Sequence, residues 1–353
     1  LKGTALKEVN EAIKKFGQKD EAKAVSFVLS PVFGKIINDY PLRRHETTYD
    51  HNLRVKVGRL RERFSSWYEL FPRSASQDVN RAGTFKDVAA LLPRIEELGF
   101  DVLYMPPVHP VGRKNRKGRN NATNAMEGEP GSPWAIGASE GGHKAILPEL
   151  GNISDYKALI KKAKKEYDID VALDLAFQCA PDHPYITEHP EWFTWRPDGT
   201  IMYAENPPKK YQDIVPINFE TEDHKALWKE LLSVVLYWCK AGVTIFRVDN
   251  PHTKPYRFWE YIIEETNKEY PDIIFLAEAF TRPAIMGELA KRGFQQSYTY
   301  FTWRTNPKEM KEYMIELTTS ELADVMQPNF WPNTPDILAF EMMGANSNQF
   351  VKR

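Results

Sequence analysis

The first forty residues carry apolar side chains at helical spacing. Leu6, Val9, Ile13 and Phe16 fall three or four positions apart, and Val25, Phe27, Val28, Val32, Ile36 and Ile37 form a second set. This is the stripe expected of packed helices, and it predicts a helical segment over residues 1–45. Residues 46–58 alternate in their second half, as an exposed strand would, so residues 46–62 read as the tail of a β-rich N-terminal domain. From about residue 64 the pattern changes. Short apolar runs at 64–71, 100–105, 171–177, 243–248, 273–276, 296–303 and 325–331 alternate with helical stretches near 85–98, 154–167, 223–240, 255–269, 283–292 and 307–316. Short buried strands separated by helices predict a parallel sheet with covered faces. Seven such runs can be counted, so residues 63–353 read as an α/β domain, a (β/α)8 TIM barrel truncated before its eighth strand. The connections 106–153 and 178–222 are too long for turns. Both follow the C-terminal end of a strand, the face on which barrel enzymes build their sites, and 178–222 reads as a small subdomain inserted after the third strand.

Composition narrows the function classes. The chain has 353 residues, with 47 basic against 48 acidic side chains and a net charge of −1, which argues against a general nucleic-acid binder. Its two cysteines, Cys179 and Cys239, cannot make a disulfide framework, and no Cys-x-x-Cys pair offers a metal site. No apolar stretch reaches the ~20 residues that span a bilayer and no signal peptide opens the chain, so the expected setting is cytoplasmic with no membrane partner. The first residue is Leu and the last four carry no stop signal, which reads as a piece of something longer. Aromatic residues make up 12%, which suits a sugar-stacking cleft but suits a large core under long loops better.

Charged residues stand at four of the strand ends: Asp174 in Leu173-Asp174-Leu175, Arg247 and Asp249 in Phe246-Arg247-Val248-Asp249, Glu278 in Leu276-Ala277-Glu278, and Asp336 in Asn333-Thr334-Pro335-Asp336. Positions two apart on a strand face the same way, so Arg247 points with Asp249 and keeps that carboxylate ionised. A carboxylate without such a partner on the next strand can stay protonated. An ionised and a protonated carboxyl group facing each other across about 5 Å form the layout of retaining glycosidic chemistry. Any one of these residues alone reads best as a structural ion pair; together they reverse that reading.

These motifs resemble the four ordered motifs of the α-amylase family of glycoside hydrolases. Longer strings resemble one subfamily, the α-1,4-glucan:maltose-1-phosphate maltosyltransferases: Ser65-Ser-Trp-Tyr-Glu-Leu-Phe-Pro-Arg-Ser74, Gly131-Ser-Pro-Trp-Ala-Ile-Gly137, Ala204-Glu-Asn-Pro-Pro-Lys-Lys-Tyr-Gln-Asp213, Arg247-Val-Asp-Asn-Pro-His-Thr-Lys254 and Ser297-Tyr-Thr-Tyr-Phe-Thr-Trp303. The resemblance covers about residues 60–340. It implies Asp249 as nucleophile, Glu278 as general acid/base, Asp336 as the carboxylate that holds sugar hydroxyls, and Arg247 as the residue that positions the nucleophile. It places Tyr211, Asn250 and Lys209 or Lys210 near a phosphate leaving group, and Lys117, Gln178, Asn206 and Asp213 around the donor sugar. Implied with these are α-maltose 1-phosphate and an α-1,4-glucan as substrates, a homodimer, and neither metal nor organic cofactor.

Two departures from ordinary amylases point the same way. The motif of Asp174 ends in Gln178-Cys179 where amylases carry Asn-His, and the last motif reads Asn-Thr-Pro-Asp in place of His-Asp. A sugar 1-phosphate also needs donors and compensating charge around a nearly dianionic leaving group, which Lys209, Lys210, Tyr211 and Asn250 supply. The basic run Arg113-Lys-Asn-Arg-Lys-Gly-Arg119 reads equally as a solvated loop or as a steering patch. His183, His189 and Trp192 read as loop packing, and His252, near the nucleophile, reads as a functional residue or, at least equally, as support for that loop. An amylase-type hydrolase and a non-catalytic glycan-binding fragment stay open as alternatives.

Overall fold

The computed structural model describes residues 3–17, 19–41, 46–51, 57–334 and 336–353, in two units, 1–57 and 58–353. In the first unit, helices α1 (Thr4–Phe16), α2 (Glu21–Val28) and α3 (Pro31–Asp39) carry the two apolar sets. The second set divides because Ser30 accepts the Phe33 N–H at 3.3 Å, donates to the Phe27 carbonyl and precedes Pro31 at the first helical position. Residues 46–51 form no strand, and the alternation over 52–56 lies outside the described residues.

The second unit opens with a helical turn, α4 (Leu60–Arg63), and is built on a six-stranded sheet. The chain runs through β1 (Trp67–Glu69), α5 (Phe85–Glu97), β2 (Val102–Met105), α6 (Ile153–Tyr167) and β3 (Asp170–Leu175). The insertion then holds β4 (Gln178–Cys179), α7 (Pro184–Glu188), β5 (Ala204–Asn206), β6 (Lys209–Tyr211) and β7 (Val215–Pro216). Next come α8 (His224–Ala241), β8 (Ile245–Asp249), α9 (Tyr256–Glu269), β9 (Ile274–Glu278), α10 (Pro283–Lys291) and β10 (Gln296–Ser297). The last elements are α11 (Pro307–Thr319), the hairpin β11 (Asn333–Thr334) and β12 (Ile337–Leu338), and α12 (Ser347–Lys352). The sheet order is β1-β2-β3-β8-β9-β10 and every pair is parallel: a curled half-barrel, the truncated TIM barrel anticipated from the alternating pattern.

The inner strands are buried at every position, as a sheet covered on both faces requires. Alternation nevertheless divides them. Leu103, Met105, Val171, Leu173, Phe246, Val248 and Phe275 pack into the main core, whereas Val102, Tyr104, Ala172, Ile245 and Ile274, with Trp67, form a separate inner cluster. Capping boxes at Thr84 and Asn152 start α5 and α6.

Three runs shorten relative to expectation, and that over 64–71 keeps only Trp67–Glu69 as strand. The strand expected over 296–303 ends at Ser297, because the Thr299 hydroxyl accepts the Phe301 N–H at 3.2 Å and starts a 3-10 turn over Tyr300–Trp303. The run 325–331 contributes one parallel bridge, Ser297 to Pro328, flanked by hydrogen bonds from Ser297 N to Gln327 O and from Asn329 N to Ser297 O, both 2.9 Å. Proline has no N–H to extend the ladder. The insertion is held by β4 pairing antiparallel with β7, and it carries the β5–β6 hairpin.

Candidate active site

The inner face of the sheet turns from apolar to charged toward its C-terminal end. Trp67 and Glu69, Val102 and Tyr104, Ala172 and Asp174, Ile245, Arg247 and Asp249, Ile274 and Glu278 follow one another at the two-residue period. Register aligns them across strands: Glu69 pairs with Tyr104, Asp174 with Arg247, and Asp249 with Glu278. Adjacent strands lie about 4.8 Å apart, so Asp249 and Glu278 are neighbours by backbone pairing.

Arg247, 1% exposed, is the hub. Its Nη1 donates to Asp174 Oδ2 at 2.8 Å and to Asp249 Oδ1 at 2.9 Å, and its Nη2 lies 3.4 Å from Glu278 Oε1. Burial works against the guanidinium charge, but the surrounding groups, Asp174 foremost, outweigh it and hold Arg247 charged. Asp174 Oδ2 also accepts from the Tyr104 hydroxyl at 2.6 Å and from Trp134 Nε1 at 3.3 Å. Burial raises Asp174, while Arg247 opposes the rise.

Glu278 departs from expectation. It is not free of the arginine; Arg247 touches both Asp249 and Glu278. Its carboxyl is nevertheless pushed up to about 7, first by burial and further by the Asp249 charge, against the pull of Arg247. A low-dielectric setting, and not the lack of a cationic partner, lets it carry a proton near neutral pH.

Immediately after Asp249, Asn250 adopts a left-handed backbone with φ 44°, a conformation asparagine tolerates better than most residues. The turn aims the Asn250 N–H at Glu278 Oε2, 3.1 Å away, and starts the 3-10 turn Pro251–Thr253.

A cavity of about 1310 Å³ opens above these strand ends. Asp249 and Asn250 line it, together with Asp336, Lys117, Gln178, Asn206, Lys209, Tyr211 and Asp213. Asp336 stands solvent-exposed in the turn between β11 and β12, within electrostatic reach of Arg247, Asp249 and Lys209. Lys209 and Tyr211 are the outer residues of β6, so Lys210 between them faces the other way; it contributes its carbonyl to Lys117 Nζ at 3.3 Å. Lys117 is buried and also donates to Gln212 Oε1 at 2.6 Å. Gln178 Nε2 donates to the Trp134 carbonyl at 3.3 Å. Asp213 is buried, and burial raises its carboxyl.

The basic run divides into structural roles. Arg116 donates to the carbonyls of Gly112, Val111 and Glu129, Lys117 lies inside the cavity wall, Arg113 pairs with Glu140, and Arg119 pairs with Glu129 at 3.5 Å. The run builds the loop more than it projects charge.

His143, Cys179 and His183 approach within 4.8 Å of one another, yet their hydrogen bonds use the imidazole lone pairs. Tyr185 N–H donates to His183 Nδ1 at 2.9 Å, which leaves Nε2–H to donate to His143 Nδ1 at 3.1 Å and His143 Nε2–H to donate to the Ala176 carbonyl at 3.0 Å. Burial lowers both imidazoles, His143 to about 4. This relay packs the insertion and suits no cation. Trp192 is likewise buried.

Sequence reasoning passed over Glu69. It ends β1 on the same inner face as Tyr104, and burial pushes it up to about 8, with Arg247 opposing and Asp336 and Asp174 adding to the rise. The signal that marked Asp174 and Glu278, an acid at a strand end, marks Glu69 too, but the run over 64–71 placed it inside the expected strand, whereas β1 ends at Glu69.

A parallel sheet of βα units with this set of acids around one arginine at its C-terminal end defines an α-amylase-type catalytic domain. The structure superposes on a Lactobacillus plantarum α-amylase with TM-score 0.58 at 28% identity, over 73% of this chain and 60% of that one. A Bacillus licheniformis trehalose-6-phosphate hydrolase shares the fold with TM-score 0.58 at 15% identity, over 76% of this chain and 56% of that one. No family model matches the chain. Two proteins described as α-1,4-glucan:maltose-1-phosphate maltosyltransferases are much nearer in sequence. That of Methylacidiphilum infernorum is 54% identical over 329 residues, 93% of this chain and 49% of that protein. That of Pseudomonas aeruginosa is 58% identical over 284 residues, 80% of this chain and 43% of that protein. Over most of its length the chain is similar to these α-1,4-glucan:maltose-1-phosphate maltosyltransferases, and it spans about half the length of the curated relatives it matches.

Proposed function

We propose that this domain transfers a maltosyl unit from α-maltose 1-phosphate to the non-reducing end of an α-1,4-glucan with retention of configuration. The observation that carries the reading is the register pairing of Asp249 with Glu278 around the buried Arg247. An Asp249 carboxylate oxygen attacks the anomeric carbon as the bond to the phosphate oxygen breaks, and the Glu278 proton passes to the departing phosphate. The product of this half-reaction is a β-maltosyl ester of Asp249. The 4-hydroxyl of an acceptor glucan then gives its proton to the Glu278 carboxylate and attacks the same carbon, which releases Asp249 and completes an α-1,4 bond.

Arg247 orients Asp249 through one hydrogen bond, and Asp336, on the β11–β12 turn that lines the cavity, takes the sugar hydroxyls. Lys209, Tyr211 and Asn250 form the phosphate end, Lys209 being the member of the lysine pair that lines the cavity. Lys117, Gln178, Asn206 and Asp213 form the sugar wall. The reaction as written balances without metal or redox cofactor. The same reading takes in a homodimer and a cytoplasmic setting. The second rests on the two unpaired buried cysteines and on the finding that no described helix is long and apolar enough to cross a membrane.

The test supplies α-maltose 1-phosphate with a maltooligosaccharide to the full-length protein and follows free phosphate and chain length. Phosphate release with elongation by two glucose units is expected. Reducing sugar from starch without any use of the phosphate donor would instead show an amylase-type hydrolase.

A further inference from the structure

Lys254 has no role in the reaction as written. It is buried, yet it lies five residues beyond the nucleophile and lines the cavity. Its Nζ donates to the carbonyl of Asp249 at 3.3 Å and to the carbonyl of Asn250 at 3.2 Å. These two carbonyls bracket the left-handed residue Asn250, whose N–H meets Glu278 Oε2.

We propose that Lys254 is a positioning residue: its ammonium clamps the two carbonyls around Asn250 and thereby holds the Asn250 N–H on the acid/base carboxyl and the Asn250 side chain at the leaving-group end of the cavity. The inference deepens the maltosyltransferase reading and rests on it for the identity of the leaving group. A left-handed non-glycine turn is strained and persists only where its surroundings hold it, and two charge-assisted hydrogen bonds from a buried cation do so. Among the described residues Lys254 has no ion-pair partner; burial, costly for such a lysine, lowers the amine, while the charges of Asp249, Glu278 and Asp174 work in the other direction. The Trp259 indole N–H fixes the next carbonyl, that of Pro251, at 2.9 Å, so three successive carbonyls of the loop are held.

The charged and titratable groups around this turn are Asp249 and Arg247 on β8, Asp174 on β3, Glu278 on β9, Tyr298 beyond β10, Asp336 on the β11–β12 turn and His252 on the loop itself. Lys254→Met removes a cation near Glu278 and slackens the N–H contact that favours its ionised form; both changes raise the Glu278 pKa. Lys254→Arg keeps the charge but replaces a compact ammonium by a planar fork that fits two adjacent carbonyls poorly.

The experiment measures kcat/KM of the full-length protein and both variants across pH, with α-maltose 1-phosphate and with α-maltosyl fluoride, whose leaving group needs less proton assistance. Lys254→Met is expected to lose roughly 100-fold with the phosphate donor, the scale of a small misplacement of reacting groups, but roughly 10-fold or less with the fluoride. Its alkaline limb with the phosphate donor moves up by about half a pH unit or more. Lys254→Arg keeps most of the phosphate-donor loss and, since it restores the charge but not the clamp, moves the limb less than Lys254→Met does. Equal losses on both donors with an unmoved limb would reduce Lys254 to a structural residue, and unchanged kinetics would remove it altogether; melting temperatures separate either result from unfolding. A wild type that turns over maltooligosaccharides but releases no phosphate refutes the donor reading alone. The limb shift is then read on the oligosaccharide, whose sugar leaving group needs the same proton.

Discussion

The two walls of the cavity are built in opposite ways. On the strand side, Asp249 lines the cavity, and the buried Asp174 and Glu278 are tied with it to the Arg247 guanidinium, all four placed by sheet register. On the loop side, Asn206, Lys209 and Asp336 are exposed and stand on two short hairpins. The strand wall is preorganised and expensive to perturb; the loop wall is polar and adjustable. A site that must stabilise a developing charge gains from the first kind of construction, and one that must admit and release a charged donor gains from the second. The strand wall should therefore carry the chemistry and the loop wall the choice of substrate.

The contrast can be broken most severely at Asp249. Asp249→Ala should lower transfer by roughly four orders of magnitude, the scale at which nucleophile removal acts, while donor binding measured by calorimetry is largely retained. Full turnover in this variant would refute the nucleophile. At the hub, Arg247→Met leaves three buried acids without their cation. The expected loss is about 3–5 kcal/mol of stability, the scale for breaking a buried ion pair, read as a large fall in denaturant midpoint together with loss of activity. Loss of activity alone would mean that the acids do not depend on Arg247 for folding.

On the loop wall the effects should be smaller and selective. Lys209→Ala is expected to weaken kcat/KM for maltose 1-phosphate by roughly 10- to 100-fold, as one charge-assisted contact would, and Lys210→Ala to change it little. Equal losses at the two lysines would contradict their alternation on β6.

The smallest effect concerns protons. Since burial holds Glu278 up to about 7, phosphate release should fall as pH rises through that value and the acid loses its proton. The stability sign follows from the same shift. Folded Glu278 binds its proton more tightly than the unfolded chain does, at about 4.3, so its contribution to stability is present at low pH and is lost as pH rises from about 4 toward 7. Glu278→Gln should accordingly raise the melting temperature slightly at pH 8 and leave it nearly unchanged at pH 4. A lower melting temperature at pH 8 would contradict the buried, proton-holding environment.

The two walls were also unequally legible in the sequence. Strand alternation placed Arg247 with Asp249, and the helix–strand rhythm placed Asp174, Asp249 and Glu278 at neighbouring strand ends, because period and order are local properties. What escaped was what tertiary contact decides. Glu278 touches the arginine from which it was expected to be free, since a long guanidinium reaches two strands. Glu69 was overlooked because the apolar run extends to residue 71, whereas the strand itself ends at Glu69. The cations of 113–119, read as a possible steering patch, are mostly spent on carbonyls and nearby carboxylates. Lys210 and Lys209 are equivalent as letters and differ only through the face of a three-residue strand.

The most direct test of covalent chemistry at the strand wall is to trap the intermediate. Full-length Glu278→Ala protein, incubated with α-maltosyl fluoride, can be glycosylated without an acid but lacks the base that activates an acceptor. Peptide mapping by mass spectrometry should find one maltosyl unit attached to Asp249. An adduct on Asp174 or Asp336, or fluoride release with no adduct at any carboxylate, would contradict the account.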